Sequence, residues 1–300
     1  MDIFNNLRNE FHKEKVEQFL LDKGKQTEEA LHRYLSQLQC PIPGLIEAME
    51  YSLFAGGKRL RPALVLGSAE LFDGNIQKVM PSACAIEMIH TYSLIHDDLP
   101  ALDNDDFRRG KPTLHKVYGE AIALLASDGL LTLAFELLAS TGNAEVVVEV
   151  ARSAGVNGMV GGQYMDIIAE GKLVPMETLQ EIHRKKTGAL ICASLRCGAL
   201  LSNAFSKGLQ AITEYGKHLG LAFQIVDDIL NVTGDEKTLG KPVGSDKEHK
   251  KSTYPALLGL QQSQELALEH THKAISALTC FGEKAEVFRQ LALYMLLRNH

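Results

Sequence analysis

The chain predicts an all-α, single-domain helical bundle spanning residues 1–300, and three observations carry that expectation. Apolar residues recur at helical spacing through nearly every segment. No stretch alternates apolar and polar residues between turn signals. Neither a low-complexity linker nor a composition shift divides the chain. Its 300 residues exceed the usual single-domain length, which helical folds nonetheless reach.

The elements follow in order. Phe4, Leu7, Phe11, Val16, Phe19 and Leu20 form one apolar stripe, and residues 45–54 hold a second, ended by Gly56-Gly57. A long apolar helix runs from about Val79 to Asp98. Further helices are predicted over 120–139, 144–168, 176–200 and 206–232, and from Tyr254 to the end with breaks. Val146-Val147-Val148 is strand-like, but Glu145, Glu149 and Arg152 around it suit a helix better. Turn clusters stand at 41–44, 72–75, 141–143 and 234–253.

Hydrophobic residues make up 45% and charged residues 23%, ordinary for a globular protein with a large core. A net charge of -6 argues against a general nucleic-acid binder, which needs a basic stripe. Five scattered cysteines (Cys40, Cys84, Cys192, Cys197, Cys280) read as reduced core thiols rather than a disulfide or metal framework. The charged, amphipathic start is no secretory leader. The most apolar stretch, 121–139, is interrupted by Asp128 and Glu136, which argues against a membrane span. A cytoplasmic protein is expected, one that meets any lipid substrate from water.

Two acidic clusters with basic followers dominate the chemistry. Asp97-Asp98 and Asp103 precede Arg108-Arg109; Asp227-Asp228 and Asn231 precede Lys241 and Lys251. Adjacent carboxylates repel, so a fold keeps them where a hard cation neutralises them. The cations nearby then suggest a polyanion held through that metal, and a diphosphate with Mg²⁺ satisfies both signs. Asp227 and Asn231 share a helix face with Gln224 one turn earlier. Pro100 intervenes between Asp97 and Asp103, so the helix is expected to end or deform there. Alone, about half of such clusters would be solvated caps; two at helix ends are far less ordinary.

Gly56-Gly57-Lys58-Arg59-Leu60-Arg61 places three cations behind a flexible turn, and Lys185-Lys186-Thr187-Gly188 offers a second cationic turn with a hydroxyl. Either would pass for a surface break on its own.

Together these stretches resemble the trans-isoprenyl diphosphate synthases over nearly the whole chain, closest to bacterial-type farnesyl diphosphate synthases. The ordered matches are GGKRLRP from Gly56, EMIHTYSLIHDDLPALDNDDFRRGKPTLH from Glu87, GGQYMD from Gly161, HRKKTGAL from His183, FQIVDDILN from Phe223 and GKPVGSDKEHKKSTYP from Gly240. The resemblance implies a bundle around a deep central cavity, usually homodimeric. It implies that Asp97, Asp98 and Asp103 hold two Mg²⁺ ions and Asp227 a third, with Asp228 and Gln224 beside it, and that Mn²⁺ can substitute. Arg108, Lys186, Lys241 and Lys251 would grip the allylic diphosphate; Lys58, Arg61, His90 and Arg109 would bind isopentenyl diphosphate. Thr187, Gln224 and the Lys186 carbonyl would steady a carbocation.

Chain length is expected to depend on Tyr92, five residues before Asp97, with small Ser93 beside it. An aromatic there resembles fifteen-carbon synthases. Geranylgeranyl or geranyl diphosphate synthesis is the alternative; a terpene cyclase and a non-catalytic subunit are remoter ones. The paired Asp227-Asp228 and the Lys58/Arg61 cluster count against the cyclase, and the intact first aspartate cluster counts against the non-catalytic subunit. Asn231 departs from the aspartate usual in the family, so it is expected to weaken the third ion's site.

Overall fold

The computed structural model describes residues 11–39, 42–233 and 252–298. Its helices are α1 (Lys13–Ser36), α2 (Pro43–Leu53), α3 (Leu60–Leu71), α4 (Ile76–Asp98), α5 (Leu114–Tyr118), α6 (Glu120–Ser140), α7 (Ala144–Ala154), α8 (Met159–Ala169), α9 (Met176–His183), α10 (Ala189–Leu201), α11 (Ser206–Thr233), α12 (Tyr254–Leu258), α13 (Leu260–Ala277) and α14 (Glu286–Leu297). A π-helical turn, Arg184–Gly188, joins α9 to α10, and a 3₁₀ stretch, Leu278–Ala285, precedes α14. The strand content described is one small antiparallel hairpin, β1 (Phe107–Arg108) on β2 (Lys111–Pro112), with Arg108 opposite Lys111.

The fold is all-α, as the periodicity predicted. Two helix pairs frame it: α4 packs along α6 on one side, and α11 along α13 on the other. Between them α10 lies against α3, α11 and α7, and so ties the halves together. The core around α4 buries Ile86, Met88, Ile89 and Leu130; the core around α11 buries Ile212, Tyr215, Phe288 and Leu291. A fully buried Leu or Ile contributes roughly 1.5–3 kcal/mol, so these seams hold the long helices in fixed register.

The sequence pattern leaves α3 unassigned, since Pro62 and its cations look like a turn. Pro62 sits in the helix's first turn, where its missing N–H has no intrahelical partner to lose. The helix expected over 144–168 is two. Asn143 caps the first, its side chain accepting from the Glu145 and Val146 amides. The chain leaves that helix at Gly155 and re-enters α8 after Gly158, residues that favour helix least after proline. The segment 176–201 does run on as one rod, and Lys185-Lys186-Thr187-Gly188 is a widened turn within it rather than a surface break.

By length and composition α6 is apolar enough to cross a bilayer, with mean hydropathy 1.8 over an 18-residue window. It lies in the bundle instead, packed on α4 and α2. Cys84 and Cys197 are buried free thiols; Cys280 is exposed, against expectation, and Cys40 lies outside the described residues.

Candidate active site

The first acidic cluster is built by the way α4 stops. After Asp98 the backbone turns extended at Leu99, whose carbonyl accepts from the Leu102 and Asn104 amides at 2.9 and 3.1 Å. The Asp103 amide donates back to the Asp97 carbonyl at 2.9 Å. Asp103 is therefore folded beside the helix end, the deformation that its spacing and Pro100 demanded. Asp98 is buried, and its Oδ1 accepts from Arg108 Nε at 2.6 Å; the same guanidinium reaches Asp105 at 3.4 Å. Asp97 instead lines a cavity of about 380 Å³, shared with Arg61, His90, Tyr92, Lys186 and Thr187.

The glycine-led turn sorts its three cations. Lys58 is exposed, its ammonium 5.0 Å from the Tyr294 ring centre. Arg61 faces the cavity, with Nη1 3.2 Å from His90 Nε2. A guanidinium only donates, so that imidazole nitrogen accepts and the ring is neutral. Burial, then the charges of Arg61, Arg109, Arg108 and Arg59, hold the His90 pKa well below its usual value. Arg61 is itself brought down to about 10 by burial and Arg109, against the pull of Glu87 and Asp227.

Arg59 has another task. It is 4% exposed, and its guanidinium donates to Glu87 at 2.7 Å, Glu28 at 2.9 Å and the Leu53 carbonyl at 2.7 Å. Arg59 thus ties the turn to the core, while Lys58 and Arg61, the two cations expected to meet a diphosphate, remain on the open side. Arg109 lies across the turn, donating to the Gly56 carbonyl. Gly57, at φ +116°, makes room for it, since a Cβ there would stand 2.7 Å from Arg109 Cζ.

The opposite wall comes from the π-helical turn and α11. Lys186 Nζ pairs with Asp166 at 2.7 Å. The close seat of α8 against this turn depends on Gly162, where any Cβ would collide with the Lys186 amide nitrogen. Thr187 Oγ1 donates to Gln224 Oε1 at 3.1 Å, Gln224 Nε2 donates to Asp228 Oδ1 at 3.1 Å, and Asp228 Oδ2 accepts from the Tyr254 amide at 3.1 Å. Asp228 is 4% exposed and turned inward. Asp227, on the open side, pairs with Arg298, whose guanidinium also donates to the Phe223 carbonyl and lies 4.1 Å over the Phe223 ring.

The structure therefore brings Arg61, His90, Tyr92, Ser93, Asp97, Lys186 and Thr187 to one hollow. Gln224 reaches it through Thr187, whereas Asp98, Asp103, Asp227 and Asp228 are not among the residues that line it. Lys241 and Lys251 lie outside the described residues. Sequence reasoning missed Asp166, although it ends the GGQYMD stretch, and Arg298, which nothing in the pattern ties to a carboxylate 71 residues away.

Among the described residues no three His, Cys, Asp or Glu side chains converge as a metal cage. Magnesium needs none: it is held through one or two carboxylates, with water and substrate phosphates filling its octahedron. Asp97 in the wall, Asp103 tied to its carbonyl and cations around the rim fit that mode of binding. The site can take an apolar tail into the hollow and an anionic, metal-bound head at its mouth.

Residues 43–291 match the family model for polyprenyl synthetase. The farnesyl diphosphate synthase of Geobacillus stearothermophilus is 49% identical over 86% of this chain and 90% of its own. A geranylgeranyl diphosphate synthase of Cyanophora paradoxa is 45% identical over 85% and 88%. Among solved structures, a geranyltransferase from Legionella pneumophila superposes with a TM-score of 0.83 at 34% identity, covering 94% of this chain and 96% of that one. An all-helical bundle, a cation-rimmed cavity and these likenesses converge: the chain belongs to the polyprenyl synthetase family.

Proposed function

We propose that this chain condenses isopentenyl diphosphate with dimethylallyl and then geranyl diphosphate, head to tail, to give farnesyl diphosphate. One observation carries the reading: a single cavity places Asp97 across from Lys186 and Thr187, with the Arg61–His90 pair and Tyr92 lining it. The relatives named for farnesyl diphosphate synthesis support the substrate class.

Three Mg²⁺ ions, or Mn²⁺ in their place, would be held by Asp97, Asp98, Asp103, Asp227 and Asp228 and would neutralise the charge growing on the departing diphosphate. Lys186 and Arg108, with Lys241 and Lys251, grip the allylic diphosphate and stabilise the same charge at short range. Asp98 and Asp166 hold Arg108 and Lys186 in place beforehand. On the other side Lys58, Arg61, His90 and Arg109 bind the diphosphate of isopentenyl diphosphate. Neutral His90 accepts from Arg61 and so aims that guanidinium. Thr187, fixed through Gln224 and Asp228, presents an oxygen where the allylic carbon becomes positive. Attack by the second substrate's double bond and loss of a proton to the released diphosphate then complete the bond, with no side-chain nucleophile. Besides its place beside the third ion, Asp228 orients Gln224, both of its oxygens accepting bonds inside the protein, while Asp227 would hold that ion from the open side.

The protein works in this reading as one domain, in the cytoplasm, as a homodimer. The exposed apolar residues Ile122, Leu124 and Leu125 of α6 supply the face that a second copy covers. No nucleic acid takes part. A twenty-carbon product is the second reading, favoured by the small Ser93 beside Tyr92.

Purified chain, Mg²⁺, dimethylallyl diphosphate and labelled isopentenyl diphosphate test the proposal, with chromatography after phosphatase treatment. A linear fifteen-carbon alcohol is expected, and Tyr92→Ala should lengthen it. Cyclic hydrocarbon, or no turnover by the chain alone, would overturn the reading.

A further inference from the structure

The cavity wall at Tyr92 and His96 contains a contact that the reaction itself does not use. The Tyr92 ring stands 4.6 Å from the His96 ring, one helical turn on, tilted by 55°. His96 Nε2 in turn lies 2.7 Å from Ser127 Oγ on the neighbouring helix α6. Ser127 is fully buried, and its hydroxyl proton is already directed to the Leu124 carbonyl at 2.7 Å. A serine has one proton to give, so towards His96 it accepts, and Nε2 donates. The imidazole is thereby locked in rotation about its ring axis and in tautomer, braced between α4 and α6.

We propose that His96 and Ser127 are positioning residues for product length: Ser127 holds His96, and His96 holds the Tyr92 ring across the path of the growing chain. The inference rests on Tyr92 closing the cavity. A tyrosine ring pushed by an extra five-carbon unit can swing aside only if its neighbour yields. His96 cannot yield without breaking its bond to a helix whose own position is set by the core around Leu130. Tyr92 and the His96 ring beside it thus share α4, and the anchor, Ser127, belongs to α6.

Ser127→Ala removes the acceptor with little change in volume. The twenty-carbon share of product should rise about fivefold, the factor one neutral hydrogen bond commands, while Ser127→Thr, which keeps the oxygen, should retain the original distribution. Melting temperatures of both variants are measured alongside. A lower melting temperature with unchanged product lengths would show Ser127 to be structural only and overturn the proposal. Should Ser127→Ala not fold, His96→Leu, similar in bulk but unable to bond to Ser127, is read in the same way. If the unaltered enzyme already releases mainly twenty-carbon product, the farnesyl reading fails by itself. The bracing is then judged on whether these variants lengthen that product further.

Discussion

Adjacent residues of one cationic run carry different loads. Arg59 is held at φ +47° with its charge spent on buried Glu87, whereas Lys58 is exposed beside Tyr294. Arg59→Ala leaves a carboxylate buried without its partner and should cost about 3–5 kcal/mol of stability, read as a large fall in melting temperature. Lys58→Ala should leave the melting temperature unchanged and raise KM for isopentenyl diphosphate about tenfold, the scale of one charged hydrogen bond. The reverse pattern would refute the division. Gly162→Ala should cut kcat by at least about a hundredfold, because its Cβ displaces the Lys186 backbone and misplacement of about 1 Å is that damaging. The cluster of cations was legible in the sequence; which one turns inward was not, because Glu87 lies 28 residues away and only the left-handed backbone at Arg59 decides it.

At the level of elements, hydrophobic periodicity located the long helices because their buried faces repeat with the turn. It failed where backbone chemistry overrules the pattern: at Gly155 and Gly158, which split a predicted helix, and at Pro62, which opens one. The widened turn at Arg184–Gly188 leaves no trace in the apolar spacing, since Ile182 and Leu190 are buried on either side of it. Helix α6 carries its own prediction. Leu125 is 57% exposed, in company with the exposed Ile122 and Leu124 of the same helix. Leu125→Asp should convert the proposed dimer to monomer in sedimentation analysis; an unchanged sedimentation coefficient would refute this face as a dimer interface.

For the whole molecule, acid is the sensitive direction. Burial brings His183 down to about 4, with Lys186 adding to burial and Asp166 opposing it. Burial brings His270 to about 4 as well, helped by His218 and Lys273. The unfolded chain binds those protons near pH 6.5, so between about 6.5 and 4 it holds more protons than the folded one and stability falls as pH drops, by at most about 1.4 kcal/mol per unit for His183 and by less for the more solvated His270. Above pH 6.5 both imidazoles are neutral in either state and the stabilisation is complete. The melting temperature should therefore decline steadily from pH 6.5 to 4, and His183→Phe should flatten the slope. A slope that persists unchanged would exonerate His183. Apolar spacing could not show the hollow at this scale, and only the family resemblance implied one, since α4, α8, the widened turn and Arg61 of α3 make it only once they are packed.

That widened turn has an outcome no side chain could supply. A π-helical turn packs an extra residue into the rod, so the side chains beyond it are rotated relative to those before it. Lys186 and Thr187 line the hollow from within that turn, while Ile182 and Leu190 are buried on either side. To undo the rotation, evolution would have to shorten the rod by one amino acid and thereby turn every residue that follows.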